Sequence, residues 1–461
     1  MISRGAAGLF LDPGLGKTSA TLAAFRLLQR KGMADRMLVI APLRVCHAVW
    51  PAEVAKWSDF AHLRVSVLHG PEKALALQSD ADIYVINPEG LDWLLSGGRL
   101  KKLGADILVV DESTKFKNTS TKRFKLLRPH LTSFRRRWIL TGTPAPNGLL
   151  DLFGQVYLMD LGHSFGAYIT HFRSTYFIAS GYGGYKWTPM ADTEARIQEK
   201  LKPLVLRLDA EDYLELPERV DLDIMVELPP AARKTYDELE DFLFTTLEDK
   251  LVTAMSVAVV GGKCRQVANG AIYKDQGDRQ LARFSSERWM LVHDAKLDAL
   301  TELVEELSGQ PLLVLYEFDH DRERLLKRFG KDTACLTGLS GVKLNAVIDA
   351  WNRGELPVLL GQPQSMGHGL NLQGSAAHVA WFGLPWDLEV YDQAVKRVHR
   401  SGNPHKRVFV HHLVVKDSIE QDVKRALQGK SRTQTALLDS LKKSPRRNNE
   451  PKLLKRQARK K

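Results

Sequence analysis

Short, strand-sized apolar runs recur through the first 150 residues: Ala6–Leu11, Met37–Ala41, Asp82–Asn87, Ile107–Val110 and Trp138–Leu140. Helix-length stretches of mixed polarity separate them. Strands that alternate with helices predict a parallel sheet covered by helices on both faces. A second block repeats the pattern from Pro311 to Val415, with runs at Leu312–Tyr316, Val358–Leu360, Val379–Phe382 and Val408–Val415. The stretch between the blocks, about Leu161–Leu307, is helix-rich in composition. It is interrupted at Gly181–Gly184 and Gly261–Gly262, and no hairpin signal stands out in either lobe. The expected fold class is α/β, with two tandem parallel-sheet lobes and helical insertions. The expected division is an N-terminal lobe over 1–215, a C-terminal lobe over 216–440 and a basic tail over 441–461.

Bulk properties narrow the setting. A chain of 461 residues allows two to three domains, and 44% hydrophobic residues suits sizeable cores. No apolar run approaches the roughly 18 residues that a membrane helix needs. Asp12 interrupts the first apolar stretch and no small-residue cleavage site follows, so the N-terminus does not read as a signal peptide. A cytoplasmic protein with no membrane partner is expected. The three cysteines, Cys46, Cys264 and Cys335, lie far apart and suggest neither a disulfide framework nor a zinc knuckle. The formal net charge is +12, of which residues 442–461 carry +9 through ten Lys/Arg and Glu450. The body is close to neutral and the tail strongly basic. That tail predicts a polyanionic partner, a solvated solubility tail being the alternative.

Ligands of parallel α/β sheets bind beyond the carboxyl ends of the strands, and the polar motifs follow the apolar runs. After Ala6–Leu11 comes Gly14-Leu15-Gly16-Lys17-Thr18. A glycine-rich turn lets backbone N–H groups close around phosphates, lysine reaches the β/γ-phosphates, and the threonine hydroxyl ligates Mg2+. ATP with Mg2+ is the expected nucleotide, although Leu11 stands where the strict pattern has glycine. After Ile107–Val110 comes Asp111-Glu112, with Asp111 expected to hold magnesium and Glu112 to polarise the attacking water. After Trp138–Leu140 comes Thr141-Gly142-Thr143-Pro144. Its hydroxyls suit coupling to the γ-phosphate, though a plain turn would look the same. In the second block, Gln393, Arg397 and Arg400 occupy one stretch. Spacing by three puts the two arginines on one helix face, either as arginine fingers or as a solvated basic face.

Taken together, these motifs resemble the superfamily-two helicase motors, and specifically the Swi/Snf-type branch of DNA translocases. The resemblance covers Gly8 to about Lys430 and is closest to compact bacterial or phage members. Ala41-Pro42-Leu43-Arg44 with Trp50 and Trp57, Asn87-Pro88-Glu89, the Asp111–Asn118 segment and the Leu140–Asn147 segment match the first-lobe motifs in order. Leu206-Arg207-Leu208 and Leu216-Pro217-Glu218 are similar to the branch's inter-motif segment. Gly367–Leu372, Pro385-Trp386 and Gln393–Gly402 match the second-lobe motifs. The resemblance implies two RecA-like lobes that close on ATP and a nucleic-acid-dependent ATPase. It places Gly369 on the nucleotide and Arg44, Asn87 and Lys117 on nucleic acid.

Three departures stand out. No glutamine motif precedes the first strand, so either the start is truncated or adenine selectivity is relaxed; as a motor subunit, the chain would have a protein partner completing the N-terminal side of the ATP site. Ser113-Thr114 replaces the more usual Ala-His or Ala-Gln. Gln362-Pro363-Gln364-Ser365 replaces the usual Ser-Thr approach to Gly367. A double-stranded DNA translocase is the leading expectation. A strand-separating helicase acting on DNA or RNA, with single-stranded DNA or RNA as a possible partner, and a motor subunit of a larger assembly are the alternatives.

Overall fold

The computed structural model describes residues 1–180, 186–248, 254–274, 288–330, 333–364, 366 and 370–442. Gly369 and the basic tail beyond 442 lie outside these residues. The chain divides into two compact units, Met1–Leu214 with the chain from Lys430 onward, and Glu215–Gly429.

The first unit is built on seven parallel strands in the order β3-β4-β2-β5-β6-β1-β9. They are β1 (Ala6–Leu11), β2 (Met37–Ile40), β3 (Val65–Val67), β4 (Ile83–Ile86), β5 (Ile107–Asp111), β6 (Arg136–Thr141) and β9 (Val205–Leu208). A separate antiparallel pair joins β7 (Phe177–Ser180) to β8 (Lys186–Pro189). The second unit has six parallel strands in the order β10-β17-β16-β13-β15-β14. They are β10 (Glu218–Val226), β13 (Leu312–Leu315), β14 (Thr333–Cys335), β15 (Val358–Gly361), β16 (His378–Trp381) and β17 (Arg407–Val415), and β11 (Ala271–Tyr273) pairs antiparallel with β12 (Trp289–Leu291). Each main sheet is α/β, parallel throughout and flanked by helices, as the alternating pattern requires.

The central strands carry apolar runs rather than alternation because both sheet faces are covered. Successive residues feed opposite cores. Ile40, Ile86, Leu108, Val110 and Ile139 enter one cluster, while Val39, Val85, Ile107, Val109 and Leu140 enter the other. The helix Lys17–Arg30 closes the second cluster with Leu22, Ala24, Phe25 and Leu28. The second unit repeats the alternation, Leu313 and Leu315 on one side, Leu312 and Val314 on the other.

The region between the apolar blocks is less helical than its composition predicts. It supplies β9 and β10, the edge strands of the two sheets. It also contains both antiparallel pairs, so the expectation of no hairpin does not hold. The physical reason is visible in the residues. Phe177–Ser180 and Lys186–Pro189 are short and mixed in polarity, and three-residue β11 and β12 are far apart in sequence. No period-two alternation develops over so few positions.

Candidate nucleotide site

The order β5-β6-β1 places three predicted motifs side by side at the carboxyl ends of adjacent strands. The chain leaves β1 through a turn with Gly14 at φ 88° and Gly16 at φ 72°. Left-handed backbone of this kind favours glycine. At Gly16 a Cβ would also come within 2.8 Å of Ser19 Oγ. Leu15 is half-buried between them. Gly16 caps the helix Lys17–Arg30, so the first-turn N–H groups and the positive end of the helix dipole face this turn. Lys17 Nζ donates to the Leu11 carbonyl at 2.8 Å, folded over the turn it belongs to. Thr18 follows in the first helical turn, half-buried.

Asp111 ends β5 in a buried position. Its Oδ2 accepts from Trp50 Nε1 at 3.1 Å and its Oδ1 from the Glu112 N–H at 3.1 Å. Burial pushes the Asp111 carboxyl up to about 6, and the adjacent Glu112 charge adds to the rise. Lys17 and the Trp50 hydrogen bond pull it down. The side-chain charge of Lys17 thus acts directly on Asp111. Glu112 takes φ 53°, the left-handed region that a non-glycine residue enters at a cost on the order of 1 kcal/mol or more. It caps the short 3-10 turn Ser113–Phe116. The Thr143 N–H donates to Thr141 Oγ1 at 3.1 Å, and Gly142 packs beside the Leu11 carbonyl and the Pro13 ring. The Thr-Gly-Thr turn therefore touches the phosphate loop's own entry. The Thr143 hydroxyl is buried without a hydrogen-bond partner.

A divalent cation fits this donor set. A buried carboxylate whose charge is disfavoured, within electrostatic reach of Lys17 at a helix N-terminus suited to phosphate, is hard-oxygen chemistry of the kind magnesium takes. Asp111 and Thr18 are the residues that would hold it.

The residues expected on nucleic acid follow β2, β4 and β5. Arg44 lies half-buried in the helix Leu43–Ala48, where burial depresses its pKa. Asn87 is buried and its amide donates to Glu89 at 2.8 Å. Lys117 Nζ lies 3.4 Å from Asp151. Asn87 and Lys117 therefore both have internal partners.

In the second unit, Gln393 lies on the helix Leu388–Val395 and donates to Glu389 at 3.1 Å. That helix ends before both arginines, which corrects the expectation that they share a helix face. Arg397 and Arg400 sit in the turns that follow, where hydrogen bonds run from the Arg397 N–H to Ala394 and from the Arg400 N–H to Val398. These bonds reach three and two residues back, so turn bonds replace the helical pattern at both arginines. Arg400 donates to Asn371 Oδ1 at 2.6 Å and the Leu372 N–H reaches the Arg397 carbonyl, so this turn is tied to the neighbouring predicted motif.

Several contributors are not evident from spacing. Trp50 orients Asp111. Arg207, in β9, donates to the Phe10 carbonyl and pairs with Asp12 and Asp209, tying that strand to the base of the phosphate loop. Gln155 and Asp151 hold the loops after β5 and β6. An arginine between two leucines and an unusual serine at 113 are the only sequence signals for these roles.

The sequence matches the SNF2-related domain family over residues 3–273 and the helicase conserved C-terminal domain over residues 295–402. It is 36% identical over 449 residues to putative protein p41 of Acyrthosiphon pisum secondary endosymbiont phage 1, covering 93% of each chain. It is 26% identical to the putative ATP-dependent helicase/translocase YwqA of Bacillus subtilis, covering 93% of this chain and 46% of that one. This chain thus spans under half the length of YwqA. A Sulfolobus solfataricus SWI2/SNF2 ATPase core in complex with dsDNA aligns at TM-score 0.41 and 23% identity, covering 95% of this chain and 91% of that one.

Proposed function

This chain belongs to the SNF2-related family of helicase-like superfamily-two ATPases, and from that premise we propose that it couples ATP hydrolysis to translocation along double-stranded DNA. The observation that carries the reading is the convergence of Lys17, the Asp111–Glu112 pair and Thr141–Thr143 on three adjacent strand ends. The backbone N–H groups of Gly14–Thr18 bind phosphate and Lys17 moves from the Leu11 carbonyl to the β/γ-oxygens. Glu112, held in a strained conformation beside Asp111, orients and deprotonates the attacking water. Magnesium, held by Thr18 and Asp111, would neutralise charge on the phosphates. Gln393, Arg397 and Arg400 of the second unit are assigned to the γ-phosphate, with Gly369 on the nucleotide. Arg44, Asn87 and Lys117 are assigned to the nucleic-acid side, with binding through phosphates that is largely independent of sequence and sensitive to salt.

Steady-state ATPase activity with no nucleic acid, single-stranded DNA, duplex DNA and duplex RNA tests this at one low salt concentration. Stimulation mainly by duplex DNA is expected, followed by displacement of a triplex-forming strand. Stimulation mainly by single strands or RNA would overturn it. Strand separation is the second reading, favoured by the β7–β8 pair outside the main sheet, which a helicase could use as a wedge. A forked-duplex unwinding assay separates the two.

A further inference from the structure

The helix Leu152–Asp160 is buried at every position but Tyr157, and Gln155 in it is fully buried. A leucine or methionine would fill that volume without a polar group to desolvate. Gln155 instead makes three hydrogen bonds. Its Oε1 accepts from Ser113 Oγ at 2.7 Å. Its Nε2 donates to the Pro144 carbonyl at 2.6 Å and to the Asp151 carbonyl at 2.8 Å. Ser113 is the residue after Glu112, and Pro144 the residue after Thr143. One side chain therefore joins the loop that carries the acidic pair to the turn that carries the paired threonines.

The rest of the helix reinforces the join. A Cβ on Gly154 would fall 2.4 Å from the Phe116 carbonyl and 2.7 Å from that of Lys117, so the helix backbone is pressed directly onto the turn after Glu112. Asp151 pairs with Lys117 and accepts the Asn147 N–H at 2.9 Å. The serine that departs from the more usual alanine at 113 now has a purpose. Alanine there would leave the Gln155 oxygen buried and unbonded.

We propose that Gln155 is a positioning residue that makes the Glu112 loop and the Thr141–Pro144 turn move as one body. Displacing either loop alone breaks a hydrogen bond in a dry core, which is expensive where water cannot replace it. The inference rests on the reading of Glu112 as the water-orienting residue. Gln155 touches no reacting atom; it fixes where Glu112 stands when the turn responds to phosphate.

The test compares Gln155→Leu, Ser113→Ala and the double variant with the wild type. kcat and KM for ATP are measured with the best-stimulating nucleic acid, or without any if none stimulates, together with melting temperature and the Kd of a non-hydrolysable ATP analogue. In Gln155→Leu, kcat should fall about 10- to 100-fold, the scale set by a small misplacement of a catalytic group. KM and analogue Kd should stay within about twofold. The double variant removes both polar partners across the Ser113–Gln155 contact, so it should recover melting temperature without recovering kcat, a split that a purely structural role would not produce. It also stands in should Gln155→Leu alone fail to fold. A double variant with kcat within twofold of wild type would overturn the proposal, as would a loss confined to KM. Glu112→Gln serves as the control. If it turns over normally, the reading of Glu112 fails; if it is inactive while the double variant is fully active, only the role of Gln155 fails.

Discussion

Two buried ionisable groups, one in each unit, differ in how the fold completes them. Lys296 in the second unit is 0% exposed. Its Nζ donates to Asn269 Oδ1 and the Phe382 carbonyl, both at 2.8 Å, and to Glu420 Oε1. The other Glu420 oxygen accepts the Val415 N–H, and the other side of Asn269 donates to Asp321. All three ammonium protons have acceptors, one of them an opposite charge. Asp111 in the first unit is bonded by an indole and a peptide N–H, with a like charge next in sequence. Burial, with that like charge adding to it, raises the carboxyl to about 6 against the pull of both hydrogen bonds. A buried charge given an opposite-charge partner serves architecture; one given only hydrogen bonds suits the chemistry proposed above for Asp111.

The comparison can be broken in order of effect. Glu112→Gln should lower phosphate release by about 10²–10⁴-fold, the usual worth of a positioned base, while leaving the melting temperature at or above wild type. An unchanged rate would mean that the strained residue has no role in turnover. Lys296→Met should cost about 3–5 kcal/mol in urea unfolding, because Glu420 is left buried and unpaired. Lys296→Met combined with Glu420→Leu should regain most of that loss. A single-variant cost below about 1 kcal/mol would show that the pair is not the completed structural charge described above. The smallest effect is a gain. Asp111 binds its proton more tightly folded than unfolded, so the wild type loses stability as pH rises from the ordinary value of 3.8 to about 6. Asp111→Asn should therefore be more stable by about 2 kcal/mol above pH 6, after allowing for one lost hydrogen bond, and equal or less stable near pH 4. Equal stability at all pH values would remove the contrast with Lys296.

Much of this division is legible in the residues, and its limits have physical causes. Central strands such as Ile107–Asp111 and Leu312–Leu315 announce themselves because both faces are buried and they carry unbroken runs of four apolar residues. Edge strand Glu218–Val226 does not, since one of its sides is solvated and Asp221 and Asp223 dilute the pattern. The phosphate loop and acidic pair are local in sequence and could be read directly. Contacts such as Trp50 to Asp111, Arg207 to Asp12 and Gln155 to Pro144 exist only once strands are ordered in the sheet. The end of the helix at Val395 is equally invisible, because no Gly or Pro interrupts the residues through Arg400 while the turn is tied to Asn371 and Leu372.

Strand β10 has a further consequence, in the timing of synthesis. It pairs in parallel with β17 over nine residues, Glu218 with Arg407 through Val226 with Val415. The two partners are 189 residues apart. At about 5–20 residues per second a ribosome needs roughly 10–40 s to deliver the second after the first. For that interval β10 is a nine-residue ribbon with no neighbour, the kind of edge that recruits other chains. Its residues Glu218, Arg219, Asp221 and Asp223 make it a poor template for such pairing. The acids that hide this strand from a reader of the sequence are thus the ones that protect it while the nascent chain waits for its partner.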